Sequence, residues 1–313
     1  MPKAEPLLIV GSIAFDDLDM PSGDFRDVLG GAATYSSLAA SFFAPAQVVG
    51  IVGSDFPEAH LEALRHRTID TEGVERAPAP GKTFRWHGKY AADLSSRVSL
   101  DTQLNVFADF RPKIPPAYRK TPFVLLGNIH PRLQIEVLDQ IERPKLVAAD
   151  TMNFWISGEP KALGELLRRV DLLLINDEEA RELSGVHNLR RAAHEIRRRG
   201  PTHVLIKQGE HGALLFDEAG PFFVPAYPLE AVLDPTGAGD TFAGGLMGYL
   251  ARSGGDASPH ALRRAMFYAS AMGSFCVEEV GPARLLRLTE AQVKARIEEF
   301  VALTDFGGSL ALE

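Results

Sequence analysis

The stretch that most constrains this chain is Asp234-Pro235-Thr236-Gly237-Ala238-Gly239-Asp240-Thr241, continued by Phe242-Ala243-Gly244-Gly245. The run before it, Phe222 to Tyr227, reads as extended, and Thr241 to Leu250 reads as a helix with small residues on one side. The glycines therefore fall in a turn that opens a helix. Such a turn can aim several backbone N–H groups at one point, where the helix start adds partial positive charge, so it is built to hold an anion. A carboxylate is out of place there unless it has work to do. Asp240 fits as the base that takes a proton from a hydroxyl attacking a phosphorus held above the turn. The plainer alternative is a helix start in which Asp240 only favours the dipole.

Two other glycine-rich readings fail. No G-x-x-x-x-G-K-[ST] run occurs, and the dinucleotide fingerprint requires a glycine where Phe242 stands. The run D-P-T-G-A-G-D-T-F-A-G-G resembles the signature of the ribokinase-type (PfkB) carbohydrate kinases. That resemblance extends over nearly the whole chain, from Gly11-Ser12-Ile13 to Gly281. It implies ATP-dependent phosphoryl transfer to an alcohol, with Asp240 as base and the amides of Gly237, Ala238 and Gly239 as the anion hole.

The rest of the chain is consistent with a large α/β domain. Apolar runs at Leu7–Val10, Val48–Val52, Phe123–Gly127, Leu146–Ala149, Val170–Ile175 and Val204–Lys207 alternate with helical patterns. The expected fold is three-layered, with a mostly parallel, doubly wound sheet, in one domain over 1–313. The stretch 82–112 breaks this rhythm: Thr83–Tyr90, Arg97–Leu100 and Asn105–Phe110 alternate without a helix between them, which predicts an antiparallel excursion. By resemblance this excursion, with part of 12–30, is a lid over the acceptor, and such lids can also join two copies as a homodimer.

Most strand tips offer polar residues. Asp16 follows the first strand; it is either an acceptor of substrate hydroxyls or part of a solvated turn, and the resemblance favours the first. Gly30-Gly31 precedes a helix of small residues and suits close approach to a ligand or tight packing. Thr34 stands where the family often has Asn. Asn128, Asp150 and Asn153 are candidate pocket residues, or caps of their own turns. Asn176 and Glu179 have the spacing of a capping box; by resemblance, Glu179 also orders Mg²⁺ through water. Lys207, Gly209 and Gly212 form either a turn beside the nucleotide or an ordinary glycine-rich hairpin. The resemblance also allows a K⁺ site involving Asp234 and Thr236, although Cys276-Val277-Glu278-Glu279 keeps the family pattern only in part. Ala261–Phe275 and the turn Val280–Ala283 would wall the adenine site, and Thr289–Leu303 forms a closing helix before a tail, Gly307–Ser309, expected to fray.

Composition removes other classes. A net charge of −8 gives no basic field for nucleic acid or an anionic membrane, and the Arg-rich segment Arg190–Arg199 reads as a solvated helix face. The N-terminal apolar run is too short for a membrane span. The one cysteine, Cys276, excludes an internal disulfide and fits a reducing cytoplasm. No His-x-x-x-His or Cys-x-x-Cys spacing supports a zinc site. Two alternatives stay open: a nucleoside kinase, with Phe84–Tyr90 or Phe154-Trp155 stacking on a base, and a binding protein of the same fold without turnover.

Overall fold

The computed structural model describes residues 4–254 and 257–305; the Gly307–Ser309 tail lies outside them. Among these residues thirteen strands form two sheets. The large one is nine-stranded, in the order β13-β12-β11-β10-β9-β8-β1-β4-β5. Its parallel members are β1 (Leu7–Val10), β4 (Ala46–Val52), β5 (Ile69–Arg76), β8 (Phe123–Leu126), β9 (Leu146–Asp150), β10 (Leu172–Asn176) and β11 (His203–Lys207). At one edge, β12 (Ala213–Asp217) and β13 (Gly220–Val224) run antiparallel.

The helices are α1 (Ala32–Ala40), α2 (Glu58–His66), α3 (Pro131–Leu138), α4 (Asn153–Gly158), α5 (Pro160–Leu167), α6 (Asp177–Ser184) and α7 (Leu189–Arg197). They are followed by α8 (Ala238–Arg252), α9 (Pro259–Cys276), α10 (Ala283–Arg287) and α11 (Glu290–Thr304). Alternate residues of β1 enter different cores. Leu7 and Ile9 pack with residues of α1, α8 and α9, whereas Leu8 and Val10 pack with residues of α3, α5 and α7. A central strand must be apolar on both faces for this, which is why LLIV has no polar alternation. The result is the expected three-layer α/β fold.

The chain leaves β1 toward β4 on one side and reaches β8 on the other. The carboxyl end of β1 therefore lies at the reversal of strand order, where open α/β sheets form their crevice. Gly11–Ile13, Asn128, Asp150, Asn176 and Lys207 all lie at or just past strand ends on this edge.

The second sheet has four strands in the order β3-β2-β6-β7: β2 (Ala14–Met20), β3 (Gly23–Gly30), β6 (Phe84–Tyr90) and β7 (Arg97–Gln103). Strand β2 pairs in parallel with β6, some seventy residues later, and antiparallel with β3. One expectation is corrected here. Asn105–Asp109 is a 3₁₀ helix rather than a strand. Phe107 and Phe110 are three apart, so they fall on one side of such a helix. Phe107 stacks on Phe84 and Phe110 with ring centroids at 5.6 and 5.5 Å. Phe110, Ile114 and Tyr118 then pack into the core of the large sheet.

The small residues of the signature helix are explained by packing. A side chain at Gly244 would meet the Ser36 carbonyl at 2.1 Å, and one at Gly248 would meet Ala40 at 2.8 Å. Gly245 faces Met272 of α9. Helix α8 is thus wedged between α1 and α9, and Ser36 Oγ donates to the Asp240 carbonyl at 2.9 Å. These contacts fix where the first turn of α8, and hence Asp240, sits.

Candidate active site

Gly237 caps α8 in the left-handed region, at φ 75°. Its missing Cβ would lie 2.5 Å from the ring of buried Tyr35, so the turn rests directly on that phenol. The anion hole differs from expectation in one member. The Ala238 amide donates back to the Pro235 carbonyl at 3.2 Å, because the tight turn closes on itself there. The amides of Gly237 and Gly239 make no hydrogen bond with any described residue. They remain available to an anion at the start of α8.

Asp240 stands in the same first turn of α8. Burial pushes its carboxyl up to about 7, with the charge of Asp150 adding to the effect and Lys207 and Arg97 opposing it. A base poised near neutrality can hold a proton during reaction and release it afterwards. Lys207 Nζ lies 3.0 Å from Asp150 Oδ2 in a largely buried ion pair. It also stands 3.2 Å from where a Gly239 side chain would begin. Asp150, expected among the acceptor contacts, is therefore paired with a lysine that stands beside Gly239 at the start of α8.

The capping box at Asn176 and Glu179 is present. Asn176 Oδ1 accepts from the Glu179 amide, and Glu179 Oε2 accepts from the Asn176 amide, both at 2.8 Å. Glu179 Oε1 takes no part in the box. Burial, followed by the charge of Asp150, pushes this carboxyl up to about 7, with Lys207 opposing. Two crowded carboxylates with a spare oxygen suit a hydrated divalent cation, and the pair fits Mg²⁺ held with phosphates and water. Among the described residues no group of three or more His, Cys, Asp or Glu is placed to hold a metal by itself. The Asp234–Thr236 region does not demand a monovalent ion. The oxygens of fully buried Asp234 accept from the amides of Thr236 and Gly281, each at 2.8 Å, and Thr236 Oγ1 is bonded to Tyr90 at 2.7 Å.

Asp16 lies within β2, with 5% of its surface exposed, and no described residue donates to its carboxylate. Burial pushes it up to about 8, helped by the charges of Asp234 and Asp240. A side chain at Gly30 would land 2.0 Å from Asp16 Oδ2, so this glycine leaves the carboxylate its space. Gly31, at φ 97°, starts α1 close against the Ser12 carbonyl. Asp16 is left buried with no described hydrogen-bond partner, a need that a polyol's hydroxyls would meet.

Other expected residues lie elsewhere. Thr34 is fully buried and donates to the Gly30 carbonyl at 2.8 Å, so it braces the Gly30–Gly31 turn and offers nothing to an acceptor. Asn153 is exposed and bonded to Glu182 of α6, not turned into the cleft. Gly212 is needed because a side chain there would meet the Val224 carbonyl at 2.1 Å, which places it in the packing of β13. Gly209, in contrast, is in open space with φ 56°. Asn128 Oδ1 accepts from the Trp155 indole at 3.0 Å, while its amide nitrogen has no described partner. His130 caps α3.

Comparison with known proteins identifies the family. The model of the pfkB family carbohydrate kinases matches residues 134–287. A cytidine kinase from Thermococcus kodakarensis is 32% identical over 251 residues, covering 78% of this chain and 88% of the relative. The chain belongs to the pfkB family of carbohydrate kinases. Two solved structures share the fold. A nucleoside kinase from Methanocaldococcus jannaschii has a TM-score of 0.75 at 17% identity, over 95% of this chain and 99% of that one. The aminoimidazole riboside kinase from Salmonella enterica, complexed with aminoimidazole riboside and an ATP analogue, has a TM-score of 0.72 at 20% identity, over 93% and 99%. As a pfkB kinase this protein is a phosphotransferase with an alcohol acceptor, of the group that acts on sugars and nucleosides. No helix among its described residues is long and apolar enough to cross a membrane.

The crowding of acidic groups has a consequence for stability. Asp16, Asp240 and Glu179 have folded pKa values of about 8, 7 and 7, above the carboxylate range of an unfolded chain near 4. Groups raised in this way contribute stability that is fully present below the unfolded pKa and is lost as pH rises through the folded one. The melting temperature of the ligand-free pfkB kinase is expected to fall between pH 6 and pH 8.5 on account of these groups. Thermal denaturation at fixed ionic strength checks this. The fall should flatten in Asp16→Asn, and an unchanged slope in that variant would show that the lost stability arises elsewhere.

Proposed function

We propose that this pfkB kinase transfers the γ-phosphoryl group of ATP to a hydroxyl of a sugar or nucleoside, with Asp240 as general base. The observation that carries this reading is a carboxylate poised near neutrality beside two unengaged amides at the start of α8. Asp240 accepts the hydroxyl proton as the acceptor oxygen forms its bond to the γ-phosphorus. The bond from that phosphorus to the bridging oxygen breaks, and its electron pair leaves with ADP. The Gly237 and Gly239 amides hold the oxygens of the moving group. Asp16 orients the acceptor, and Glu179 with Asp150 would hold Mg²⁺ through water. When bound, that ion would offset charge on the phosphates. The small sheet acts as the lid.

Among acceptors, nucleosides are favoured by one further observation. Trp86 lies directly across the β2–β6 pair from Asp16, and its indole N–H is fixed by Ser99 Oγ at 3.0 Å. A flat ring held one strand away from a hydroxyl-binding carboxylate suits a compound with sugar and base at that spacing. The relative from T. kodakarensis supports the same class.

The test is ADP release with ATP and Mg²⁺ over cytidine, inosine, ribose, fructose and myo-inositol. A nucleoside is expected to exceed ribose in kcat/KM by roughly tenfold or more, the value of about one well-made contact. Preference for a free sugar would reject the nucleoside reading. Binding without ADP from any acceptor would reject turnover itself.

A further inference from the structure

One charged side chain of the cleft has no role in this scheme. Arg97 stands at the start of β7, directly across the antiparallel pair from Tyr90 of β6. Opposed residues share a face of a sheet, so Arg97 and Tyr90 project on the same side. That side meets the signature turn, because the Tyr90 hydroxyl is bonded to Thr236 Oγ1 at 2.7 Å. The Arg97 guanidinium lies 5.6 Å from the centre of the Trp86 ring, whose strand partner is Asp16. Arg97, exposed on this strand, thus stands near Trp86, the strand neighbour of Asp16, and Tyr90, which touches the signature turn. It makes no hydrogen bond or ion pair with any described residue, and the indole face is its one described contact. Its charge nonetheless acts on Asp16, Tyr90, Asp240 and Glu179, lowering each.

The charge balance gives this arrangement meaning. The cleft gathers Asp16, Asp150, Glu179 and Asp240, and its other cation near them, Lys207, is committed to Asp150. An incoming triphosphate adds more negative charge. We propose that Arg97 is a catalytic residue, the cation that the small sheet brings onto the transferring phosphoryl group. As the acceptor oxygen bonds to phosphorus and the bridging oxygen departs with its electron pair, charge spreads over the non-bridging oxygens. A planar guanidinium with all its N–H groups unspent can donate to two of them at once. The residue opposite Arg97, Tyr90, is tied through Thr236 to the signature turn, so this face of the small sheet carries Arg97 toward the start of α8. An anionic group on the acceptor would have called for a cation beside Asp16 alone.

The proposal rests on the reading of the site as an ATP-dependent kinase, and its test separates the two. Arg97→Met and Arg97→Lys are titrated calorimetrically with MgAMP-PNP and with MgADP. Arg97→Met should weaken MgAMP-PNP by roughly tenfold and leave MgADP within about twofold, with the melting temperature unchanged, because the lost contact is to the γ-phosphate alone. Arg97→Lys should recover part of the loss. With the acceptor identified by ADP release, kcat of Arg97→Met should fall by roughly 10²–10³ while KM for that acceptor holds. Equal affinities of wild type and Arg97→Met for both nucleotides would overturn the proposal, as would equal weakening of both. A defect confined to the acceptor KM would also overturn it, assigning Arg97 to the acceptor. If Arg97→Met behaves as wild type while Asp240→Asn is inactive, the Arg97 assignment alone fails; full activity in Asp240→Asn would remove the base.

Discussion

Replacing Asp240 with Asn is expected to abolish most turnover while ATP binding persists. The amide keeps the shape of the side chain but cannot take the acceptor's proton, and loss of a general base costs roughly 10²–10⁴ in rate. The first turn of α8 should be undisturbed, because it is held by Gly244 against Ser36, by Gly245 against Met272 and by the Ser36 bond to the Asp240 carbonyl. Its Gly237 and Gly239 amides should still meet phosphate. The measurement is steady-state ADP release beside calorimetric binding of MgAMP-PNP. Near-normal kcat in the variant would move the base elsewhere. The wild-type rate should also rise with pH through about 7, as Asp240 loses its proton.

A second large effect is expected at Lys207. Its ion pair with Asp150 is mostly buried, with 17% and 10% of the two side chains exposed. Removing one member of such a pair leaves an uncompensated charge, at a cost of about 3–5 kcal/mol. Lys207→Met should therefore be strongly destabilised at pH 8.5, where the cluster must remain ionised. At pH 6 the loss should shrink, because a carboxyl can take up a proton in place of the missing cation. Lys207 also lowers the proton affinity of both Asp240 and Glu179. Without it both should titrate higher, and the rising limb of the rate profile should move to more alkaline pH. Urea denaturation at the two pH values and a pH–rate series check both points. Stability equal to wild type at pH 8.5 would show that Asp150 does not depend on this lysine.

What could be read along the chain was local. The signature turn, the capping box at Asn176 and Glu179, and the apolar strands with polar tips all rest on contacts within a few residues. The misplaced details depend either on how a short turn closes or on partners distant in sequence. Thr34 stands where the resemblance puts an acceptor contact, but the first turn of α1 turns its hydroxyl back to Gly30. The Ala238 amide looked equivalent to its neighbours until the turn closed on Pro235. Asp150 and Lys207 stand 57 positions apart, and nothing in either segment announces the pair. Arg97 was visible only as one residue of an alternating run. Its position over the cleft follows from register with Tyr90, and from the pairing of β2 with β6, neither of which any short window contains.

Arg97 apart, the two sheets divide the proposed chemistry between them. The groups that would handle phosphate, at Asp150, Glu179, Lys207 and Gly237–Asp240, stand on the ends of the large sheet, in the first turn of α6 and on α8, which α1 and α9 hold in place. The groups that would choose the partner alcohol, Asp16 and Trp86, stand on the small one. A lineage built this way can exchange one cargo for another by altering the surface strands around Arg97, without retuning its reaction centre. The same separation tells an engineer where to randomise residues and where to leave them alone.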